Sequence, residues 1–226
     1  MPNSTLPQRP VALLLDFDGV ILQSVDIKES AYAAVYAAES EEKRTQMLAY
    51  QRQHGGVTRR VKFRYFEQAL FGRSGDAASV ERLSEAFTRH VFDAVVACPF
   101  VPGADRFLQF AQGRTDLHVI SGTPQDELDD IVRRRDLARY FKSVHGAPAT
   151  KRDTFATILA SNTYAAHRTL AVGDAPTEFH AATDLGIPFL GVVPVGAASP
   201  FPADVPVVPT LETLDALLGF DRAPAH

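Results

Sequence analysis

The sequence is short of several things, and each shortage narrows the field. Cysteine occurs once, at Cys98, so no intrachain disulfide can form and a reducing compartment suits the chain. Positive charge is not in excess: 23 Lys and Arg stand against 27 Asp and Glu, a formal net charge of -4. Chains that live on nucleic-acid phosphates carry the opposite sign, so no nucleic-acid partner is expected. Long apolar runs are missing. The densest, Val11 to Leu15, is far too short to span a bilayer, so no membrane partner is expected either. The polar start MPNSTLPQRP has no apolar signal core. Residues 1–10 therefore read as a frayed, uncleaved beginning, with the cytoplasm as the expected location. No internal repeat is visible.

What is present points to one sizeable core. The chain has 226 residues, 46% hydrophobic and 22% charged, ordinary values for a globular protein. They exclude a wholly disordered chain, a collagen-like fibre and a disulfide scaffold. Apolar runs recur at Val11–Leu15, Leu117–Ile120, Leu170–Val172 and Phe189–Val193. Continuous runs of this length suit strands buried on both faces, the parallel-sheet pattern. Helical patterns separate them at Ala104–Gln112, Gln125–Arg135 and Asp153–Ala160, with a last one at Thr210–Leu218. The alternation predicts an α/β fold, a doubly wound, Rossmann-like parallel sheet. Pro206 and Pro209 argue against a central strand in the extended tail.

Residues 24–98 break the alternation. They read as helix after helix: Ile27–Ala49, Thr58–Phe71 and Ala77–Val96, with breaks at Gly55-Gly56 and around Gly72 to Gly75. So long a connection between strands is better read as an inserted all-helical cap. The predicted division is a core of residues 11–23 and 99–226 with a cap of residues 24–98, hinged near Ser24 and Cys98–Gly103. Tyr32, Tyr36, Phe63 and Phe66 fall at helical spacing and read as the cap's own core.

In an open α/β sheet the reactive groups gather where strands end. The residues directly after the apolar runs are Asp16-Phe17-Asp18-Gly19-Val20, Ser121-Gly122-Thr123 and Gly173-Asp174, with Glu178 four residues on. Lys151 follows the Gly146-Ala147-Pro148 stretch at a loop-to-helix junction. Several carboxylates on one edge repel unless a cation sits among them, and hard oxygen donors favour Mg2+.

Taken in order, these segments resemble the haloacid dehalogenase superfamily, in its phosphatase branch with a helical cap after the first motif, phosphoglycolate phosphatase-like. The resemblance spans roughly residues 11 to 218. It implies that Asp16 is the nucleophile, forming an aspartyl-phosphate. Asp18 would protonate the leaving alcohol and then activate water. Asp16, Asp174 and the backbone carbonyl of Asp18 would hold Mg2+. Ser121, Gly122, Thr123 and Lys151 would hold the phosphoryl oxygens, Ser121 just ahead of a helix whose start is capped at Thr123-Pro124. Glu178 stands where relatives often carry aspartate and could orient a metal-bound water. Asp18 favours phosphate esters over carbon–halogen or phosphonate bonds, because a halide needs no acid. The implied activity is Mg2+-dependent hydrolysis of a small phosphorylated metabolite. A sugar-phosphate mutase and a catalytically silent ligand-binding relative are the alternatives. In the cap, Arg59 and Lys62 share a helix face. They either reach down to a second anionic group of the substrate or cover a solvated surface. Arg133 to Arg135 read as complementing a helix C-terminus.

Overall fold

A computed structural model describes residues 6–220. Six strands form one parallel sheet in the order β3-β2-β1-β4-β5-β6. They are β1 (Ala12–Leu15), β2 (Asp116–Pro124), β3 (Ser143–Ala147), β4 (Thr169–Gly173), β5 (Phe189–Val192) and β6 (Val207–Val208). The order runs outward from β1 on one side and from β4 on the other, so the sheet reverses between them. The crevice outside the carboxyl ends of such a pair is where doubly wound sheets bind ligands. Register brings the ends level: Leu15 pairs with Val119 of β2 and Val172 of β4. Asp16 and Asp174 therefore leave neighbouring strands at nearly the same height.

The apolar runs become central strands because both faces are covered. Every residue of β1 and β4 is buried. Leu13, Leu15, Leu117, Val119, Leu170 and Val172 face one core, while Leu14, Ile120 and Ala171 face the other, the alternation a strand imposes. The covering helices are α5 (Ala104–Ala111) and α6 (Gln125–Arg134), then α7 (Lys151–Asn162), α8 (Pro176–Asp184) and the short α9 (Leu214–Leu217).

Between β1 and α5 the chain makes α1 (Val25–Val35), α2 (Glu41–Gln53), α3 (Arg59–Tyr65) and α4 (Ala77–Ala97). This all-helical cap buries Tyr32, Tyr36, Phe63, Phe66 and Phe87, with the Tyr32 and Phe87 rings 4.5 Å apart. The two crossings into it lie side by side: Gln23 N–H donates to Pro99 O at 3.0 Å and Val101 N–H to Ile21 O at 2.9 Å.

Several elements differ from expectation. The single helix over Ile27–Ala49 is two, because Ser40 accepts from the Lys43 N–H and starts α2 with Glu41 and Glu42 in its first turn. The Thr58–Phe71 helix ends as a π-helical turn over Phe66–Leu70. β3 was not expected, its Ser-Val-His-Gly-Ala sequence being polar and short. The Pro-rich tail contributes only the two-residue β6 at the sheet edge, and the last helix shrinks from Thr210–Leu218 to α9. Ser121 lies inside β2 rather than just before a helix, and Pro124, not Thr123, is the N-cap of α6. Arg135 does not serve its own helix: it donates to the carbonyls of Val96 and Cys98, both at 2.7 Å, at the end of α4. Of the start expected to fray, residues 1–5 lie outside the described residues. Arg9 is held to the segment just after α9, its N–H to Leu218 O at 2.8 Å and its Nε to Gly219 O at 3.1 Å. Residues 221–226 of the expected core also lie outside the description. Among the described residues no helix is long and apolar enough to cross a membrane.

Candidate active site

The strand ends bring together most of the residues singled out from sequence. Asp16 Oδ1 accepts the Phe17 N–H at 2.6 Å and the Lys151 ammonium at 2.8 Å. Lys151, the first residue of α7, also reaches Glu178 Oε1 at 3.0 Å and donates to Ile120 O. Thr150 caps α7 through the Asp153 N–H, which fixes the helix start and the lysine with it. Glu178 comes from the first turn of α8 and is 1% exposed. Gly19 has a φ of 75° and passes so close to Asp174 that any Cβ would collide with its carboxylate. Glycine there lets the first loop and the β4 loop share one crevice.

The carboxylates fall into a trio and a separate Asp18, and the surroundings push the proton affinities of Asp16 and Asp18 in opposite directions. Asp16, Asp174 and Glu178 each offer an oxygen within 4.8 Å of the others. Burial, with Glu178 and Asp18 adding to it against Lys151, pushes the Asp16 carboxyl up to about 7. Burial and the charges of Asp16 and Glu178 hold Asp174 well above the ordinary range. Asp18 behaves in the opposite way. Burial alone would raise it, but the Lys28 ammonium at 2.5 Å holds it below the ordinary carboxylate range. Ser24 Oγ at 2.5 Å and Ser121 Oγ at 3.2 Å also donate to it. Lys28 bridges onward to Thr123 Oγ1 at 2.9 Å.

The first grouping fits a hard divalent cation. The Lys151 ammonium meets two of the three carboxylates, Asp16 and Glu178, and Glu178 Oε2 is buried with no hydrogen-bond partner. A buried orphan oxygen is costly unless something positive meets it. The all-oxygen donor set is the kind Mg2+ takes. The Asp18 carboxylate stands outside this trio, whereas Glu178, expected only to orient water, stands within it.

The cap closes over the crevice. Gly56, between α2 and α3, lies so near Thr177 and Glu178 that a Cβ would collide with both, and a Cβ on Gly55 would come 2.9 Å from that of Ala175. A cavity of about 70 Å³ remains, bounded by Asp16, Asp18, Asp174, Gly122 and Thr123 below and by Lys28, Arg59 and Lys62 above. The reading of Arg59 and Lys62 as a solvated face fails, since they are 4% and 2% exposed. Arg59 is bound by Glu127 of α6, Nη2 to Oε1 at 2.6 Å and Nη1 to Oε2 at 2.9 Å. Lys62 donates to Gln51 Oε1 at 2.6 Å and Gly55 O at 2.9 Å. Burial and the Lys28 charge draw its ammonium down to about 7. The Thr123 N–H, expected to be free for phosphate, is taken by Ser121 Oγ at 3.1 Å.

Sequence reasoning missed Lys28, Ser24, Gln51 and Glu127. For Lys28 a signal existed: it lies one helical turn beyond Ser24, the residue that starts α1 after the Asp-Phe-Asp-Gly loop. Gln51 and Glu127 gave none, because their partners are set by the packing of cap on core.

Residues 13–192 match the family model of the haloacid dehalogenase-like hydrolases. The chain belongs to this family. Solved structures agree on the haloacid dehalogenase fold. YfnB from Bacillus subtilis, bound to magnesium and described as showing interdomain movement, is 18% identical at a TM-score of 0.71, covering 93% of this chain and 99% of that one. CbbY from Rhodobacter sphaeroides in complex with phosphate is 16% identical at 0.71, covering 92% and 99%. A predicted phosphoglycolate phosphatase from Haemophilus somnus is 14% identical at 0.72, covering 92% and 98%. No curated protein matches the chain by sequence.

Proposed function

We propose that this haloacid dehalogenase-like hydrolase cleaves phosphomonoesters of small metabolites through an aspartyl-phosphate on Asp16, with Mg2+ as cofactor. One observation carries the reading: two aspartates on one loop have been given opposite electrostatic settings. Asp16 sits among carboxylates with the Lys151 ammonium on its Oδ1, while Asp18 two residues on is held by Lys28, Ser24 and Ser121. A nucleophile and a separate proton carrier are what a two-step displacement at phosphorus needs.

In the first step an Asp16 oxygen bonds to phosphorus as the ester P–O bond breaks, and the Asp18 carboxyl gives its proton to the leaving oxygen. In the second, water attacks the aspartyl-phosphate while Asp18 Oδ2 takes the water's proton. Phosphate leaves and Asp16 is restored. The Lys28 ion pair keeps Asp18 a carboxylate at rest, so the proton it passes to the leaving oxygen arrives with the monoprotonated phosphate ester, and the proton it takes from water in the second step returns to solvent. Lys151 supplies positive charge to the transferring oxygens, and Ser121, Gly122 and Thr123 line the crevice beside them. Mg2+, held by Asp16, Asp174 and the Asp18 carbonyl with Glu178 beside them, would offset the clustered carboxylates and draw negative charge from phosphorus.

Residues 24–98 act in this reading as a cap moving on the paired crossings near Ser24 and Pro99, admitting substrate and excluding bulk water. The net charge of -4 gives no electrostatic support to nucleic acid as substrate, which leaves a small metabolite as the reading. The test is phosphate release from 4-nitrophenyl phosphate with Mg2+, with a chelator, and with Asp16→Asn. Turnover in the first condition alone supports the reading. Equal turnover in all three removes it.

A further inference from the structure

We propose that Glu127 sets the substrate class of this site: by neutralising Arg59 it closes the leaving-group pocket to a second phosphoryl group, so the enzyme takes monophosphates and rejects bisphosphates. The inference rests on the phosphoester reading above and narrows it.

Three cations border the cavity from the cap: Lys28, Arg59 and Lys62. Arg59 is the one whose planar fork would suit a phosphoryl group, two parallel N–H donors to two oxygens. That fork is already filled. Both Glu127 oxygens occupy it, at 2.6 and 2.9 Å, and Nη1 also donates to Thr88 Oγ1 at 2.7 Å. The guanidinium lies over the Phe87 ring at 4.5 Å, so one of its faces is covered as well. The carboxylate comes from α6, across the boundary from the cap, and is 7% exposed. It therefore holds the place that a substrate's own anion would take. Lys28 is likewise spent, on Asp18 at 2.5 Å.

Lys62 is left. Its ammonium meets only neutral acceptors, Gln51 Oε1 and Gly55 O, and among the described residues it is the one cavity-lining cation without a carboxylate partner. A single ammonium answers a leaving group with one charge or a hydroxyl, not a second dianion. The assignment separates hydrolase from mutase. A mutase returns the phosphoryl of Asp16 to another hydroxyl of a substrate that already bears one, forming a bisphosphate as the Asp16–phosphorus bond breaks. With Arg59 masked, that species has no cation waiting for its second group.

The experiment measures calorimetric affinities, with Mg2+ present and with every protein carrying Asp16→Asn so that no ester is cleaved, for propanediol monophosphate and propanediol bisphosphate, which differ only in the second phosphoryl group. The otherwise wild-type protein, Glu127→Gln and the double variant Arg59→Gln/Glu127→Gln are compared, their folding checked by circular dichroism. Wild type should favour the monophosphate by about tenfold or more. Glu127→Gln should shift the ratio toward the bisphosphate by about tenfold, and the double variant should return it to within about threefold of wild type. A wild-type preference for the bisphosphate, or an unchanged ratio in Glu127→Gln, overturns the proposal. Should Glu127→Gln not fold, the double variant decides: a selective loss of bisphosphate affinity would show Arg59 to be a free receptor and overturn it. Because binding is read without turnover, a correct ratio, with no phosphate released by the enzyme that keeps Asp16, sinks the hydrolase reading and not this one. Phosphate release with an unshifted ratio does the reverse.

Discussion

At the residue scale, the site turns on one ammonium among carboxylates. Lys151 touches Asp16 and Glu178 at 2.8 and 3.0 Å, and the two carboxylates raise its proton affinity although burial opposes them. Lys151→Met leaves both carboxylates buried and unmatched. Stability is expected to fall by about 3–5 kcal/mol, the usual cost of orphaning one side of a buried pair. Turnover should fall by about 10²–10³-fold through loss of charge stabilisation at the transferring group. Urea titration and phosphate release measure the two effects separately. Unchanged turnover would place Lys151 outside the chemistry. Asp16, Asp18, Ser121, Lys151 and Asp174 were all legible, because each follows an apolar run or a loop-to-helix junction and strand ends converge in such a sheet. Glu127 was not, since what gives it meaning is an ion pair between distant segments, 2.6 Å to Arg59, whereas Lys28, 2.5 Å from Asp18, could have been found from its place one helical turn beyond Ser24. Arg59 and Lys62 were seen as a pair on one face, but a sequence does not say which side of a helix the rest of the molecule will cover.

At the scale of elements, the contact between the α2–α3 loop and the start of α8 decides how the cap seats. Gly55 and Gly56 bring the loop backbone against Ala175, Thr177 and Glu178 with no room for a side chain. Gly56→Ala should therefore hold the cap off the core. Displacing groups around a reacting centre by about 1 Å costs on the order of 10² in rate, so kcat/KM should drop by about that factor. The melting temperature should change little, because the cap's own aromatic core is untouched. A variant with native kcat/KM would mean that the cap does not close in this way. The glycine pair and the long helical insert were readable from composition and spacing. The break between α1 and α2 was readable too, in Ser40 followed by Glu41 and Glu42, an N-cap with an acidic first turn, but an alanine-rich stretch masked it. β3 could not be read, because its five residues include Ser143, His145 and Gly146 and owe their extended form to pairing with β2.

At the scale of the whole molecule, stability should depend on acid through a residue far from the chemistry in function. His118 of β2 is 1% exposed, its Nδ1 2.6 Å from Ser143 Oγ. Burial is the main cause that lowers its proton affinity to about 4 from the 6.5 of a free imidazole. Between those values the unfolded chain binds a proton that the native protein refuses. The stabilisation is therefore complete above about pH 6.5 and is lost as pH falls toward 4, by on the order of 2–3 kcal/mol. Urea titrations of wild type and His118→Gln at pH 7.5 and 5 should show the variant losing less on acidification. Parallel losses would assign the acid sensitivity elsewhere. In the proposed cycle this haloacid dehalogenase-like hydrolase carries a phosphoryl group on Asp16 during turnover. The direct measurement is acid quench of the enzyme during turnover of 4-nitrophenyl phosphate with Mg2+, followed by peptide mass spectrometry. The account predicts one phosphoryl group on the peptide containing Asp16, absent in Asp16→Asn. A phosphorylated peptide from another part of the chain, or phosphate release by Asp16→Asn at the wild-type rate, would contradict it.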